Sequence, residues 1–311
     1  MGLESDSRWQ HMAILVAHMA RTGEGTDLCY EAGALPLPVH FYSPVPDLAD
    51  LDRREVWTRR SPLRGIDMRL EGQKALLREM AGAFARECTW EEHPGPDPTR
   101  FHWRNGSFSF QCASQLLYFI RHFQPRRVIE IGSGMSSRVI AQALRANEAA
   151  TGRRCDYQIV DPFPAFEPEA LPPLSRLHRQ RVEELDPSFF EGLGENDLLF
   201  IDSGHTVRIG GDVNFLFLDV LPILAPGVLV HVHDIGLPFE YPRVYYTNPA
   251  FRMLWTEAYL LQAFLMFNEA WEVLASVAYL TAQAPEVLGE AFPGNPSDVG
   301  SGSFWMRRKP A

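Results

Sequence analysis

Two short segments concentrate side chains that can move protons or hold ligands. FIDSGH places Asp202 three residues before His205, and HVHDI carries His231, His233 and Asp234. Histidine titrates near neutral pH, so an imidazole such as His205 can take a proton from a hydroxyl. A carboxylate such as Asp202 can orient that ring or hold a substrate. Read as a strand, HVHDI puts His231 and His233 on one face and Asp234 on the other, unless the strand has already ended. A third segment, VIEIGSGMSS from Val128 to Ser137, offers a binding turn. Gly132 and Gly134 let its backbone turn tightly and approach a ligand with no Cβ in the way. The acid Glu130 precedes that turn, and Asp161 closes the next apolar run, YQIVD.

These groups need a scaffold, and the pattern after residue 100 supplies one. SQLLYFIRHF reads as a helix halted before Pro125. RVIEI, YQIVD, DLLFID and GVLVHVHDI read as strands. SSRVIAQALRANEAA, VNFLFLDVLPIL (broken near Pro222) and WTEAYLLQAFLMF read as helices. WEVLASVAYL reads as a late strand pair or a strand plus turn. Strands alternating with helices of this length predict an α/β, Rossmann-like, doubly wound sheet, mostly parallel and covered on both faces. Ligands of such sheets bind beyond the carboxyl ends of the strands, where Glu130, Asp161, Asp202 and Asp234 all fall.

The N-terminal part differs. A helix is predicted over 8–22, a stiff Pro-rich stretch over 35–47 and a second helix over 71–87. The breaker cluster EEHPGPDPTR, 91–100, marks a boundary. The chain therefore divides into an N-terminal helical and loop cap with a lid region, 1–100, and a main domain, 101–311. His40 and Tyr42, on the Pro-bounded loop HFYSPVPD, are candidates for a lid over the site; a surface loop packed by its own aromatics is the alternative. Asn105 and Phe108 in WRNGSF are candidate cofactor-edge contacts.

Composition excludes several partners. With 29 Lys and Arg against 39 Asp and Glu, the 311-residue chain has a net charge of −10, which disfavours nucleic acid. Cys29, Cys88, Cys112 and Cys155 are scattered without a CxxC pair, as in a reducing cytoplasm. The start does not read as a signal peptide, and no run reaches the roughly 18 apolar residues of a membrane span. The expectation is a cytoplasmic protein acting on a small molecule, with no membrane partner. A homo-oligomer is compatible with the sequence.

The ligand of the glycine turn follows from charge. A dinucleotide fingerprint wants glycine at 137, where serine stands, and Glu130 would repel a pyrophosphate. A cofactor with positive charge and no phosphate suits it better, and S-adenosylmethionine is one. Asp161 would then accept both ribose hydroxyls. A nicotinamide-dependent oxidoreductase and a non-catalytic nucleoside-binding protein are the alternatives.

The ExGxGxS turn, followed by an acid ending the next strand, resembles the class I S-adenosylmethionine-dependent methyltransferases. FIDSGHTVRIGGDV, HVHDIGLPFEYP and WTEAYLLQAFL resemble a small-molecule branch of them. The resemblance implies a seven-stranded sheet with the last strand antiparallel. It implies that Glu130, Gly132, Ser133, Gly134 and Ser136 form the methionine end of the cofactor site. It puts Asp161 on the ribose, Val182 and Glu183 beside the adenine, and Asp202 and Ser203 at the cofactor's edge. The implied activity is methyl transfer to a hydroxyl, or an amine, of a small polar metabolite, sugar or natural-product intermediate by in-line displacement. His205 would be the general base, with Asp202 beside it.

There is also partial similarity to metal-dependent catechol-type O-methyltransferases. Those place an aspartate at Asp202 and an Asp-Asn pair where this chain has His233-Asp234, with a lysine where it has His205. Two readings stay open here. Asp202, His233 and Asp234 could hold a divalent metal, with the histidine favouring Mn²⁺ or Fe²⁺ over Mg²⁺. In the favoured reading no metal is obligatory, and His233 and Asp234 contact the substrate or orient His205.

Overall fold

The computed structural model describes residues 7–250, 252–296 and 300–310. Seven strands form one sheet: β1 (Arg127–Ile131), β2 (Asp156–Val160), β3 (Leu174–His178), β4 (Leu198–Ile201), β5 (Leu229–Val232), β6 (Trp271–Ser276) and β7 (Phe304–Arg308). Their order is β3-β2-β1-β4-β5-β7-β6. Strands β1 to β5 pair in parallel, while β7 runs antiparallel to both β5 and β6. The expected mostly parallel sheet with an antiparallel last strand is what is found.

The central strands are apolar on both faces because each face is covered. Val128, Leu198, Phe200 and Leu229 enter one core with Leu116, Phe119 and Trp305. Their neighbours Ile129, Leu199, Ile201 and Val230 enter the other, with Val213, Phe217 and Met306. On the first face lie the helices Phe110–Phe123, begun by Ser109 whose hydroxyl accepts from Cys112 N, and Met135–Thr151. Strand order reverses between β1 and β4, so a crevice opens where β1, β2 and β4 end, the usual ligand position in open α/β sheets.

Two compact units divide the chain. Residues up to Arg59 together with Pro242–Leu254 form the smaller, and Arg60–Tyr241 with the segment from Trp255 onward form the larger. The boundary read at 91–100 therefore falls inside the larger unit. The reason is the helix Leu70–Phe84, which buries Leu77, Met80 and Ala81 in the sheet's own core. Its buried Gln73 accepts a hydrogen bond from Ser276 N at 2.8 Å, tying it to the end of β6. In the smaller unit, Arg243 forms two hydrogen bonds to Asp52, at 2.9 and 2.8 Å. The WEVLASVAYL segment is strand β6 followed by a helix, Val277–Gln283, started by the Ser276 hydroxyl, and holds no second strand. Among the described residues, no helix is long and apolar enough to cross a membrane.

Candidate active site

The glycine turn joins β1 to the helix Met135–Thr151. Gly132 takes φ of 80°, and a Cβ there would lie 2.0 Å from the Asp202 carbonyl oxygen. The turn can thus touch the end of β4 because residue 132 has no side chain. Asp202 N donates to Ile131 O and Gly132 N to Val160 O, each at 3.0 Å, so three strand tips are fastened together. Asp161 completes the clasp. Its Oδ2 accepts from Ser133 N at 2.9 Å and Ser133 Oγ at 2.6 Å, and its Oδ1 accepts from Phe163 N at 2.8 Å.

A cavity of about 360 Å³ opens over these tips, lined among others by Gly132, Asp161, Val182, Glu183, Asp202 and Ser203. Those six are all expected cofactor residues. Phe163, Arg181, Arg208 and Asp212 also line it and were not foreseen. Four carboxylates (Asp161, Glu183, Asp202, Asp212) against two guanidiniums give the cavity an acidic bias, which suits a cationic, phosphate-free ligand. The buried Ser203 hydroxyl has no hydrogen-bond partner among the described residues, leaving it available to a ligand.

Glu130 corrects the sequence reading. It is fully buried beneath the turn and does not line the cavity. Its Oε1 accepts from Ser136 Oγ at 2.7 Å and Ser137 Oγ at 3.1 Å, and its Oε2 accepts from Tyr157 OH. Ser137 Oγ in turn accepts from Gly134 N at 3.0 Å. Glu130 and Ser136 therefore stiffen the turn from below, and the charge that faces the ligand comes from other acids. Burial drives the Glu130 carboxyl up to about 7, although the three hydroxyls pull it down. Its proton is bound more tightly in the folded chain than in the unfolded one. The stability it contributes is thus complete below the ordinary value of 4.5 and is lost as pH rises through 7, a total of about 3 kcal/mol. Glu130→Gln should flatten that part of the profile in urea unfolding between pH 5 and 8. Superimposable profiles would contradict the assignment.

Beyond β4 and β5 four side chains converge. Asp202 Oδ1 lies 3.3 Å from His205 Nε2 and 3.6 Å from His233 Nδ1. Asp234 Oδ2 lies 3.5 Å from each of the same two nitrogens. The ligand atoms of Asp202, His233 and Asp234 all fall within 4.8 Å of one another. Behind them, His205 Nδ1 meets Glu257 Oε2 at 2.8 Å, and His233 Nε2 meets Cys112 Sγ at 3.4 Å. Phe108 stacks on His233 with centroids 4.8 Å apart. His231 shares that face but sits deeper, between Phe200 and Trp305. Burial lowers its pKa well below the ordinary value and keeps it neutral.

The charge state of His205 departs from the expected general base. Burial alone would lower its pKa, but hydrogen bonds to Asp202 and Glu257 outweigh that and raise it to about 10. An imidazolium has no lone pair to receive a proton, so the metal-free ring is not poised as a base near neutral pH. His233, despite its burial, is likewise pushed up, by Asp202, Cys112 and Asp234.

Asn105, expected at the cofactor's edge, does not line the cavity. Asn105 spends its amide on its own loop, donating to His102 O and Phe108 O and accepting from Ser107 N and Phe108 N. His40 and Tyr42 belong to the smaller unit, where both flank the exposed Phe41, each ring 4.2 Å from it. Sequence reasoning missed Tyr157 and Glu257. Tyr157 reads as one more core strand residue. Glu257 lies 52 positions from His205, with no motif linking the two.

A family described as "Methyltransferase domain" matches residues 129–235, the span from β1 through β5. An uncharacterized protein of Archaeoglobus fulgidus is 32% identical over 187 residues, covering 56% of this chain and 80% of that protein. Among solved structures, an O-methyltransferase from Bacillus cereus in complex with SAH is 13% identical, covering 76% of this chain and 91% of that one, with a TM-score of 0.38. A structure of cmcI-D160 with Mg-SAM is 18% identical, covering 64% and 72%, with a TM-score of 0.34. With the domain match lying over the glycine turn and its acids, and the archaeal relative aligned over most of its length, the chain belongs to the class I S-adenosylmethionine-dependent methyltransferase family.

Proposed function

We propose that the protein methylates a hydroxyl of a small polar molecule, with a divalent cation held beside the cofactor. The observation that carries this reading is the position of Asp202, which lines the cofactor cavity and whose side chain faces His205 and His233. S-adenosylmethionine supplies a methyl group on a sulfonium, open to in-line attack. A divalent cation supplies a charge that acidifies a nearby hydroxyl.

The donor set fits such a cation. Asp202 and Asp234 bring two carboxylates and His233 one nitrogen, and His233 Nδ1 is buried without a hydrogen-bond partner among the described residues. His205 adds a second nitrogen facing the same oxygens. Mixed nitrogen and oxygen donors favour Mn²⁺, Fe²⁺ or a neighbouring transition metal over Mg²⁺. His205 and His233 then serve as ligands rather than as bases, and the proton-binding strength given them by the surrounding carboxylates becomes affinity for the cation. On the cofactor side, Asp161 would accept ribose hydroxyls, and Val182 and Phe163, which line the same cavity, would offer apolar surface to the base. Ser203 Oγ is an available donor at the same edge.

Two experiments test the reading. S-adenosylhomocysteine at about 100 times its dissociation constant should stabilise the fold by roughly 2.7 kcal/mol in thermal unfolding, and NADH should not. The reverse result would point to an oxidoreductase. Asp161→Ala should weaken S-adenosylhomocysteine binding about 10- to 100-fold, as expected for loss of hydrogen bonds to a charged acceptor. Calorimetric affinity unchanged in that variant removes the ribose role. The acceptor is sought by following S-adenosylhomocysteine formation across hydroxyl-bearing metabolites, with and without chelator.

A further inference from the structure

Glu257 is an acid in an unexpected place. It opens the helix Glu257–Leu265, whose other inward residues are Ala258, Leu261 and Leu265, and it is fully buried. A carboxylate in such surroundings is strongly destabilising unless a partner compensates. Its Oε2 has His205 Nδ1 at 2.8 Å, while its Oε1 has no hydrogen-bond partner among the described residues. The presence of this acid is therefore explained by His205.

The backbone repeats the connection. His205 has φ of 54°, a left-handed conformation that a residue with a side chain adopts reluctantly. Its carbonyl accepts from Thr256 N at 2.9 Å and Glu257 N at 3.1 Å, and Val207 N donates to Thr256 Oγ1 at 2.7 Å. The start of the helix thus grips the FIDSGH loop through both main chain and side chain. Trp255 closes over the imidazole, with ring centroids 4.4 Å apart. One ring nitrogen is committed to Glu257, and the other is directed at Asp202 and Asp234.

We propose that Glu257 is a positioning residue that accepts the Nδ1 proton of His205, so that Nε2 presents its lone pair to a cation shared with Asp202, His233 and Asp234. The proposal rests on the cation reading above. A ring nitrogen can ligate through one atom while the other donates to a carboxylate, and the carboxylate then fixes both tautomer and orientation. His205 thereby becomes a fourth protein donor, beyond the two carboxylates and one histidine whose ligand atoms all lie within 4.8 Å of one another.

The test uses Mn²⁺ alone on the full-length protein, with affinity from calorimetry and the number of bound imidazoles from the nitrogen modulation of the Mn²⁺ spin echo. Wild type should show two imidazoles. His205→Ala should show one. Glu257→Ala should bind Mn²⁺ about 10- to 100-fold more weakly and also show one. Glu257→Gln keeps an acceptor oxygen and should recover the second imidazole. In a His205→Ala background, Glu257→Ala should have no further effect on Mn²⁺ affinity, because Glu257 acts through that ring.

Two imidazoles retained in Glu257→Ala, or an undiminished additional loss in the double variant, would overturn the positioning role while leaving the cation reading intact. Glu257→Ala that fails to fold shifts the decision to Glu257→Gln, where a missing second imidazole counts against the role. A wild-type protein that takes up no Mn²⁺, or an Asp202→Asn variant that binds it as well as wild type, overturns the cation reading and this proposal with it.

Discussion

Asp202→Asn is expected to lower methyl transfer on the order of 10³-fold, with a smaller change in S-adenosylhomocysteine affinity. The residue is held rigidly, since its amide is bonded to Ile131 O at 3.0 Å and its carbonyl abuts Gly132. Its side chain faces two imidazoles at 3.3 and 3.6 Å. Burial opposes its charge, but His233 and His205 outweigh that and hold its carboxyl well below the usual range. Asparagine preserves the volume and removes the charge. A cation held there as proposed would lose an anionic ligand, and a Lewis acid is worth several kcal/mol of charge stabilisation in the transition state, about 4 kcal/mol for a thousandfold. Single-turnover rates at saturating cofactor, measured beside calorimetric cofactor affinity, separate the two effects. A rate within tenfold of wild type would remove Asp202 from the chemistry.

The second large effect belongs to Gly132. Gly132→Ala places a Cβ 2.0 Å from the Asp202 carbonyl oxygen at a φ of 80°. The backbone strain alone costs about 1–3 kcal/mol, and the clash is with main chain, which cannot rotate away. Relief requires the turn to separate from β4, which opens the junction beneath the cofactor cavity. The variant should be destabilised by several kcal/mol in urea unfolding and should lose cofactor binding. Gly134→Ala is the control. Its backbone is extended, and a Cβ there meets nothing within 4 Å. It should fold with stability within about 0.5 kcal/mol of wild type. A Gly132→Ala protein as stable as Gly134→Ala would show that the close approach does not hold the site together.

Much of this architecture is legible in the residues. β4 and β5 are buried along their whole length and β1 from Val128 onward, and their mostly apolar runs mark them as central strands. β3, with the sequence LSRLH, gives no such signal, because an edge strand carries polar residues on its open side. The acids at the strand ends were visible as chemistry, but their individual roles were not. Glu130 looked ligand-facing because one residue of register decides whether a carboxylate lies in the cavity or under the turn. His205 looked like a base because nothing in FIDSGH announces that Glu257 folds against it. Long-range pairing of that kind leaves no local pattern, and it changed the reading of the site more than any motif did.

The central claim is that one aspartate joins a cofactor cavity to a cation site. It is tested most directly by anomalous diffraction from crystals grown with Mn²⁺ and S-adenosylhomocysteine. The account predicts a manganese peak ligated by Asp202, His233 and Asp234, with the nucleoside in the cavity lined by Gly132, Asp161 and Val182. A nucleoside bound outside that cavity, or a saturated crystal with no manganese on those three side chains, would contradict it.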